Sequence, residues 1–168
     1  MDTVATASRR KYPNVLITGT PGTGKTTTAE LVEAATGLKQ IIVGDMVKEH
    51  GLHDGYNEEF DTYMLNEDKL LDEMEPMMAE GGKVVDFHTC EIFPERWFDL
   101  VVVLRSETHN IYDRLRNRGY SQKKITENIE CEIMNVLIDE ARESYREEII
   151  WELHSDTVDQ MEENISRI

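Results

Sequence analysis

Positive charge is what this chain has least of. Eighteen lysines and arginines stand against 34 aspartates and glutamates, a formal net charge of −16 over 168 residues. Non-specific binding to nucleic acid is therefore not expected, because that requires a basic surface to displace counterions. A basic protein partner remains compatible, and so does a phosphorylated substrate where the few cations gather in one cleft. Cysteine is also scarce: Cys90 and Cys131 are the only two, with no metal-ligand spacing between them. That usage suits reduced thiols in an intracellular protein better than a disulfide framework. The longest purely apolar run, residues 100–104, falls far below the ~20 residues that span a bilayer. No membrane association is expected. Residues 1–11 end in Arg9-Arg10-Lys11 and contain no apolar core for a signal peptide, so they read as a disordered tail. The length indicates one domain, with a substantial core.

Against these absences stands one dense motif. Gly19-Thr20-Pro21-Gly22-Thr23-Gly24-Lys25-Thr26 fits G-x-x-x-x-G-K-[ST], directly behind the apolar stretch Val15-Leu16-Ile17 and ahead of a helix-like segment. Inward-turned backbone N–H groups and a helix N-terminus in this setting bind phosphate. Lys25 is expected on the β- and γ-phosphates of a triphosphate, and the Thr26 hydroxyl on Mg²⁺. A glycine turn that merely caps a helix would not call for the Lys and Thr that follow.

The remaining pattern alternates strands with helices. Strands are expected at 14–18, 40–43, 83–87, 100–104 and 149–153. Helices are expected at 24–36, 44–50, 66–79, 108–118, 122–148 and 158–168, with 51–57 as a polar loop. Pro76 predicts a kink or break near Glu75. The long helix from 122 carries Ile125, Ile129, Ile133, Leu137 and Ala141 on one face. Alternation of this kind implies an α/β fold in three layers, with a short parallel sheet of about five strands covered on both faces. Ligands then sit beyond the carboxyl ends of the strands.

Val84-Val85-Asp86 delivers a carboxylate at such an end, where a phosphate-loop protein places its Mg²⁺ acid; a strand-terminal Asp capping a turn is the alternative. His88 follows two residues later, on the same side if the strand extends that far. It would position an attacking water or contact Asp86, or else be an ordinary turn histidine. Gly44-Asp45-Met46-Val47-Lys48 opens a helix whose N–H groups and Lys48 would hold a second phosphate, though a bare strand-helix junction looks similar. Arg114 and Arg118 share a helix face beside Gly119 and Tyr120, ahead of Lys123 and Lys124. In isolation the cluster reads as a solvated charged face; with the phosphate loop in the same chain and a glycine hinge beside it, it predicts a mobile cationic lid over the triphosphate.

Taken together, GTPGTGKTT, GDMVKE, VVDFH, FPERWFD, VVVLR, DRLRNRGY and NIECEI resemble the adenylate kinase isoenzyme 6 family, from residue 13 to about residue 153. The resemblance weakens in residues 1–12 and after 154. It implies a nuclear nucleoside monophosphate kinase and ATPase linked to ribosome biogenesis, with a P-loop NTPase fold of the nucleoside monophosphate kinase type. It also implies that Gly22, Gly24, Lys25, Thr26 and Thr27 bind ATP. A monophosphate region is implied at about 42–65 and a lid at about 117–127, with Arg118 on the nucleotide. Asp86 and His88 match the family's Asp-x-His element. AMP or another nucleoside monophosphate is the implied acceptor, Mg²⁺ the cofactor, and nucleus and cytoplasm the location. A monomer is expected.

Two departures from ordinary adenylate kinases bear on activity. Lys48 stands where those enzymes have Arg, and a lysine lacks the planar bidentate grip on phosphate. His88-Thr89 stands where they have an arginine for the monophosphate. Both departures favour water as a competing acceptor. An ATPase assembly factor that binds and releases a basic small-subunit ribosomal protein is accordingly the second expectation. A small-metabolite kinase of the shikimate or gluconate type shares the loop, but no metabolite-recognition motif supports it.

Overall fold

Val15, Leu16 and Ile17 are apolar in succession because their strand is buried on both faces, and this strand is the centre of the molecule. The computed structural model describes residues 11–59 and 62–168. In chain order the elements are β1 (Val15–Gly19), α1 (Lys25–Thr36), β2 (Lys39–Ile42), α2 (Val43–Glu49), β3 (His53–Asn57), β4 (Thr62–Leu65) and α3 (Glu67–Glu80). These are followed by β5 (Lys83–Asp86), β6 (Leu100–Arg105), α4 (Thr108–Asn117), α5 (Gln122–Ile133), α6 (Val136–Ser144), β7 (Ile150–His154) and α7 (Val158–Arg167). The main sheet is five-stranded and parallel in the order β2-β5-β1-β6-β7, the expected α/β phosphate-loop arrangement. The tail expected at 1–11 lies, apart from Lys11, outside the described residues.

Period-two alternation divides the core. Leu16, Val85, Val101 and Val103 face a layer built from Leu70, Met74 and Met78 of α3, the aromatic group Phe93, Trp97 and Phe98, and Ile138 and Ala141 of α6. Val15, Ile17, Val84, Val102 and Leu104 face Ala29 and Val32 of α1, with Ile165 of α7 packed against them. At the amino ends of the strands a fully buried Asn14 acts as a polar pin. Its Nδ2 donates to the carbonyls of Met78 and Trp97 (both 2.9 Å), and its Oδ1 accepts from the Lys83 amide (3.1 Å). Every polar atom of that side chain is thus satisfied in the core.

Three expectations are corrected. The helix expected over 122–148 is two helices, α5 and α6, broken at Asn135, which adopts φ 58. Asparagine tolerates this left-handed conformation. Arg105 holds the break, donating from Nη2 to the Glu132 carbonyl (3.0 Å) and to Asn135 Oδ1 (2.8 Å). The single apolar face consequently fails: Ile133 is 61% exposed, whereas Glu132 is buried. The polar loop expected over 51–57 instead contains β3, which pairs antiparallel with β4 as a separate hairpin. Of the kink or break expected at Pro76, the break does not occur: α3 runs through it, and Asp72, four residues earlier, is exposed, so solvent can satisfy the carbonyl that loses its partner.

Candidate active site

The phosphate loop leaves β1 at Gly19 and enters α1 at Lys25. No side chain fits at Gly19: a Cβ there would lie 2.7 Å from the Leu104 carbonyl oxygen and 2.8 Å from Thr23 Oγ1. Gly24 is the N-cap of α1 with φ 87, a conformation that glycine adopts without strain. Between them the loop is closed on one carbonyl, that of Thr20. It accepts from the Thr23 amide (3.2 Å), Thr23 Oγ1 (2.7 Å) and Lys25 Nζ (3.4 Å). The helical ladder begins with the Thr28 amide on the Gly24 carbonyl (2.9 Å), leaving the amides of Lys25, Thr26 and Thr27 ahead of it. Thr27 is exposed on the first turn and Gly22 is buried.

β5 brings Asp86 to the same place. Its Oδ2 accepts from Thr26 Oγ1 at 2.6 Å, and the residue is only 4% exposed. Burial raises the Asp86 pKa, against the lowering influence of Thr26, Lys25 and Arg118. Burial also lowers Lys25, to about 8; Asp86 and Glu132 oppose that shift and Arg118 adds to it. In both groups desolvation outweighs the attraction of the neighbours. The pair Thr26–Asp86 offers hard oxygen donors suited to Mg²⁺. Among the described residues no cluster of three or more His, Cys, Asp and Glu could hold a metal.

His88 lies beyond β5, which ends at Asp86, so strand alternation does not place it. It packs against Phe87 (ring centroids 4.6 Å apart) on the wall of a cleft; the residue is exposed to solvent, although the protein crowds its ring. Burial, followed by the charges of Lys25 and Lys124, pushes its pKa down to about 4. Its ring is therefore neutral at pH 7, and one nitrogen is an acceptor. The adjoining cavity of about 330 Å³ is lined by Gly44, Val47, Lys48, Thr62, Tyr63, Leu65, Phe87, His88 and Thr89. The hairpin supplies its outer wall: Tyr63 packs on His53 (4.5 Å) and Tyr56 (5.3 Å), with Lys48 Nζ 5.9 Å from its ring centre.

Gly44 and Lys48 thus meet His88 at one cavity. Asp45 does not join them: it lines a separate open groove with Glu33, Gln40 and His50 at the edge strand β2. The arginines separate too. Arg114 is a brace, donating from Nη1 to the Gly22 carbonyl (3.0 Å) and Ser106 Oγ (3.2 Å), and from Nη2 to the Asp156 carbonyl (3.1 Å). Its expected place in a cationic lid is corrected accordingly. Arg118 caps α4, is exposed, and acts electrostatically on both Lys25 and Asp86. Gly119 follows at φ 82, and Ser121 caps α5 by accepting from the Lys124 amide (3.2 Å).

Sequence reasoning missed two contributors. Glu132 accepts from the Thr20 hydroxyl of the loop (2.9 Å), yet it sits in a helix whose isoleucines mask it. The hairpin was hidden by polar composition, although Tyr56, Thr62 and Tyr63 are good strand formers.

Comparison with known proteins agrees with this architecture. A family model described as an AAA domain matches residues 15–135. The chain is 52% identical over 167 residues to an adenylate kinase isoenzyme 6 homologue of Caenorhabditis elegans, covering 98% of this chain and 92% of the relative. It is 53% identical over 156 residues to one from Dictyostelium discoideum (93% and 89% covered). A Saccharomyces cerevisiae homologue, FAP7, is 44% identical over 162 residues (96% and 82%). Among solved structures, shikimate kinase from Bacteroides thetaiotaomicron superposes with a TM-score of 0.64, covering 92% of this chain and 95% of that one. At 15% identity this last likeness concerns the fold alone.

Proposed function

The chain belongs to the adenylate kinase isoenzyme 6 family, and from that premise we propose that it transfers the γ-phosphoryl group of ATP to AMP or a related nucleoside monophosphate, with ATP hydrolysis as a second activity. The observation that carries this reading is the adjacency of two sites across one strand end. Asp86 closes on the phosphate loop through Thr26, and two residues later His88 lines the cavity that holds Gly44 and Lys48. This adjacency supports neighbouring places for a donor phosphate and an acceptor, which is what in-line transfer needs from a protein.

In this reading Gly22, Gly24, Thr26 and Thr27 hold ATP through the loop and first helical turn. Lys25 neutralises charge developing between the β- and γ-phosphates, and Arg118 reaches the nucleotide from the lid. Thr26 and Asp86 would hold Mg²⁺, which supplies charge neutralisation on the phosphate oxygens when bound. Gly44 and Lys48 face the acceptor phosphate; Asp45, outside the cavity, acts on the site through its charge on Asp86. Neutral His88 accepts a hydrogen bond from an attacking water, giving hydrolysis a positioned nucleophile.

An ATP-driven assembly role is the second reading, favoured by the net charge of −16, which suits a basic small-subunit ribosomal protein client. It would place the protein in nucleus and cytoplasm, as a monomer, in small-subunit biogenesis and rRNA processing. Coupled assays with AMP, dAMP, CMP and water as acceptors, with and without a basic ribosomal protein, separate the two. Transfer to a monophosphate faster than hydrolysis supports the kinase; hydrolysis alone, stimulated by the client, removes it.

A further inference from the structure

One buried carboxylate joins three elements around the loop and has no place in the chemistry described above. Glu132, 5% exposed, uses both oxygens: Oε1 accepts from Thr20 Oγ1 (2.9 Å), and Oε2 accepts from Arg105 Nε (3.0 Å) and the Ser106 amide (3.0 Å). Arg105 is itself pinned on the far side by Glu152 (3.0 Å). The carboxylate is thus fixed to the carboxyl end of β6, and its one remaining contact is to the phosphate loop.

That contact falls on the residue that organises the loop. Thr20 is fully buried, and its carbonyl receives Thr23 and Lys25. A shift of the Thr20 backbone would move the turn and the amine together. Glu132 also lies on α5, the helix that begins inside the lid region. Lys124, whose charge acts on His88, is eight residues earlier on the same helix, about 12 Å along its axis. The helix ends directly after Glu132, and the left-handed Asn135 separates it from α6. One rigid rod therefore carries a lid cation at one end and a grip on the phosphate loop at the other.

We propose that Glu132 is a positioning residue, tying α5 to the phosphate loop through the Thr20 hydroxyl so that the loop is held in its nucleotide-binding setting. The proposal rests on the reading of the loop as a triphosphate site. It does not depend on which acceptor takes the phosphoryl group. A hydroxyl bonded to a buried carboxylate is a strong interaction, because the acceptor is charged and sheltered from water. Its loss removes the side-chain anchor that fixes the Thr20 backbone, and ATP must then reorder the loop as it binds.

Thr20→Val removes the hydroxyl at nearly constant volume and leaves the Arg105–Glu132 pair intact. The expected result is a rise of about tenfold in the Kd and KM for Mg-ATP, with kcat within about twofold of wild type. Thr20→Ser keeps the donor and should restore binding. Glu132→Gln provides a second route: one acceptor remains for Arg105 and Ser106, and an amide meets the Thr20 hydroxyl. It should weaken ATP binding less than Thr20→Val. Calorimetric titration with a non-hydrolysable ATP analogue, melting temperatures and steady-state kinetics read all three. A folded Thr20→Val protein with unchanged ATP affinity overturns the proposal, as does a lowered melting temperature with unchanged Kd and KM. Equal losses in Thr20→Val and Thr20→Ser overturn it too, because they trace the effect to packing. Transfer by the wild-type protein, assayed alongside, decides the kinase reading separately.

Discussion

Replacing Lys25 with methionine should abolish turnover and at the same time stabilise the nucleotide-free protein. The amine lies inside the phosphate loop, where burial moves its pKa from 10.5 to about 8 in spite of Asp86 and Glu132 nearby. Below pH 8 lysine is charged in both folded and unfolded chains, and the folded state carries the whole penalty. A shift of that size corresponds to about 3 kcal/mol as an upper bound. Partial solvent access to the side chain reduces it, and ~1–2 kcal/mol is the working figure. Methionine keeps the length and apolar volume of the stem while removing the charge. For a chain of this size, the gain is roughly 2–8 °C in melting temperature near pH 7.

Between pH 8 and pH 10.5 the unfolded chain holds more protons at this position than the folded one, so wild-type stability rises relative to the variant. The advantage of Lys25→Met should therefore shrink as pH goes from 7 to 10. Thermal melts at both pH values without nucleotide test this, with the coupled kinase and ATPase assays beside them. Turnover should fall by at least about a hundredfold, the usual cost of losing a charge aimed at the transferring phosphate. A variant less stable than wild type at pH 7 would refute the reasoning, since Lys25 would then be a net stabilising partner of Asp86. Normal turnover would remove the phosphate-loop assignment itself.

The two arginines should separate by readout. Arg114→Ala loses three hydrogen bonds around Gly22 and Asp156 and should cost about 2–4 kcal/mol, measured by chemical denaturation; Arg118→Ala should leave stability within ~0.5 kcal/mol and lower kcat. Thiol titration at pH 8 should find Cys90 protected in the native protein, because burial pushes its thiol up to about 12, and reactive in denaturant. Cys131, only half-buried, should react first. His88→Gly should suppress ATP hydrolysis more than transfer to AMP, measured on one preparation; equal losses would assign His88 to the shared metal site.

The sequence shows most clearly those features whose signal is local. The phosphate loop, the Asp86 strand end and the five strands of the parallel sheet follow from short patterns with a fixed backbone consequence. Asn66, Ser121 and Thr157 cap α3, α5 and α7, and each accepts from an amide three residues on. What escaped was tertiary. Arg114 and Arg118 look equivalent at i, i+4, and only the position of the Gly22 and Asp156 carbonyls makes one a brace. Asn135 breaks a helix that isoleucine periodicity continues, because Arg105 from a distant strand rewards the break. Asp45 and Lys48 belong to one helix of seven residues, yet its opposite sides face different cavities. Glu132 is the strongest case: a charged residue within an apolar repeat reads as a solvated face, and its three donors come from segments 26 to 112 residues away.

The division between transfer and hydrolysis follows from where positioning resides in the proposed site. Water brings few contacts of its own, so its placement depends on a fixed acceptor near the γ-phosphate. His88 can serve because it is neutral at pH 7, held there by burial and by Lys25 and Lys124. A nucleoside monophosphate brings many contacts, which in the proposed site would fall on the cavity wall of Thr62, Tyr63 and Leu65. Its phosphate, however, would meet Lys48 in that site, a point charge on a flexible stem, instead of a guanidinium fork. Loose phosphate placement costs transfer more than it costs hydrolysis, since a misplacement of about 1 Å in a reacting atom lowers rate by about a hundredfold. On this reasoning the ratio of the two activities is set at Lys48 and His88 together. Lys48→Arg should raise transfer relative to hydrolysis, while the ATP affinity, governed by the loop on the other side of Asp86, stays unchanged. A Lys48→Arg protein with an unaltered ratio would show that acceptor phosphate does not reach this helix.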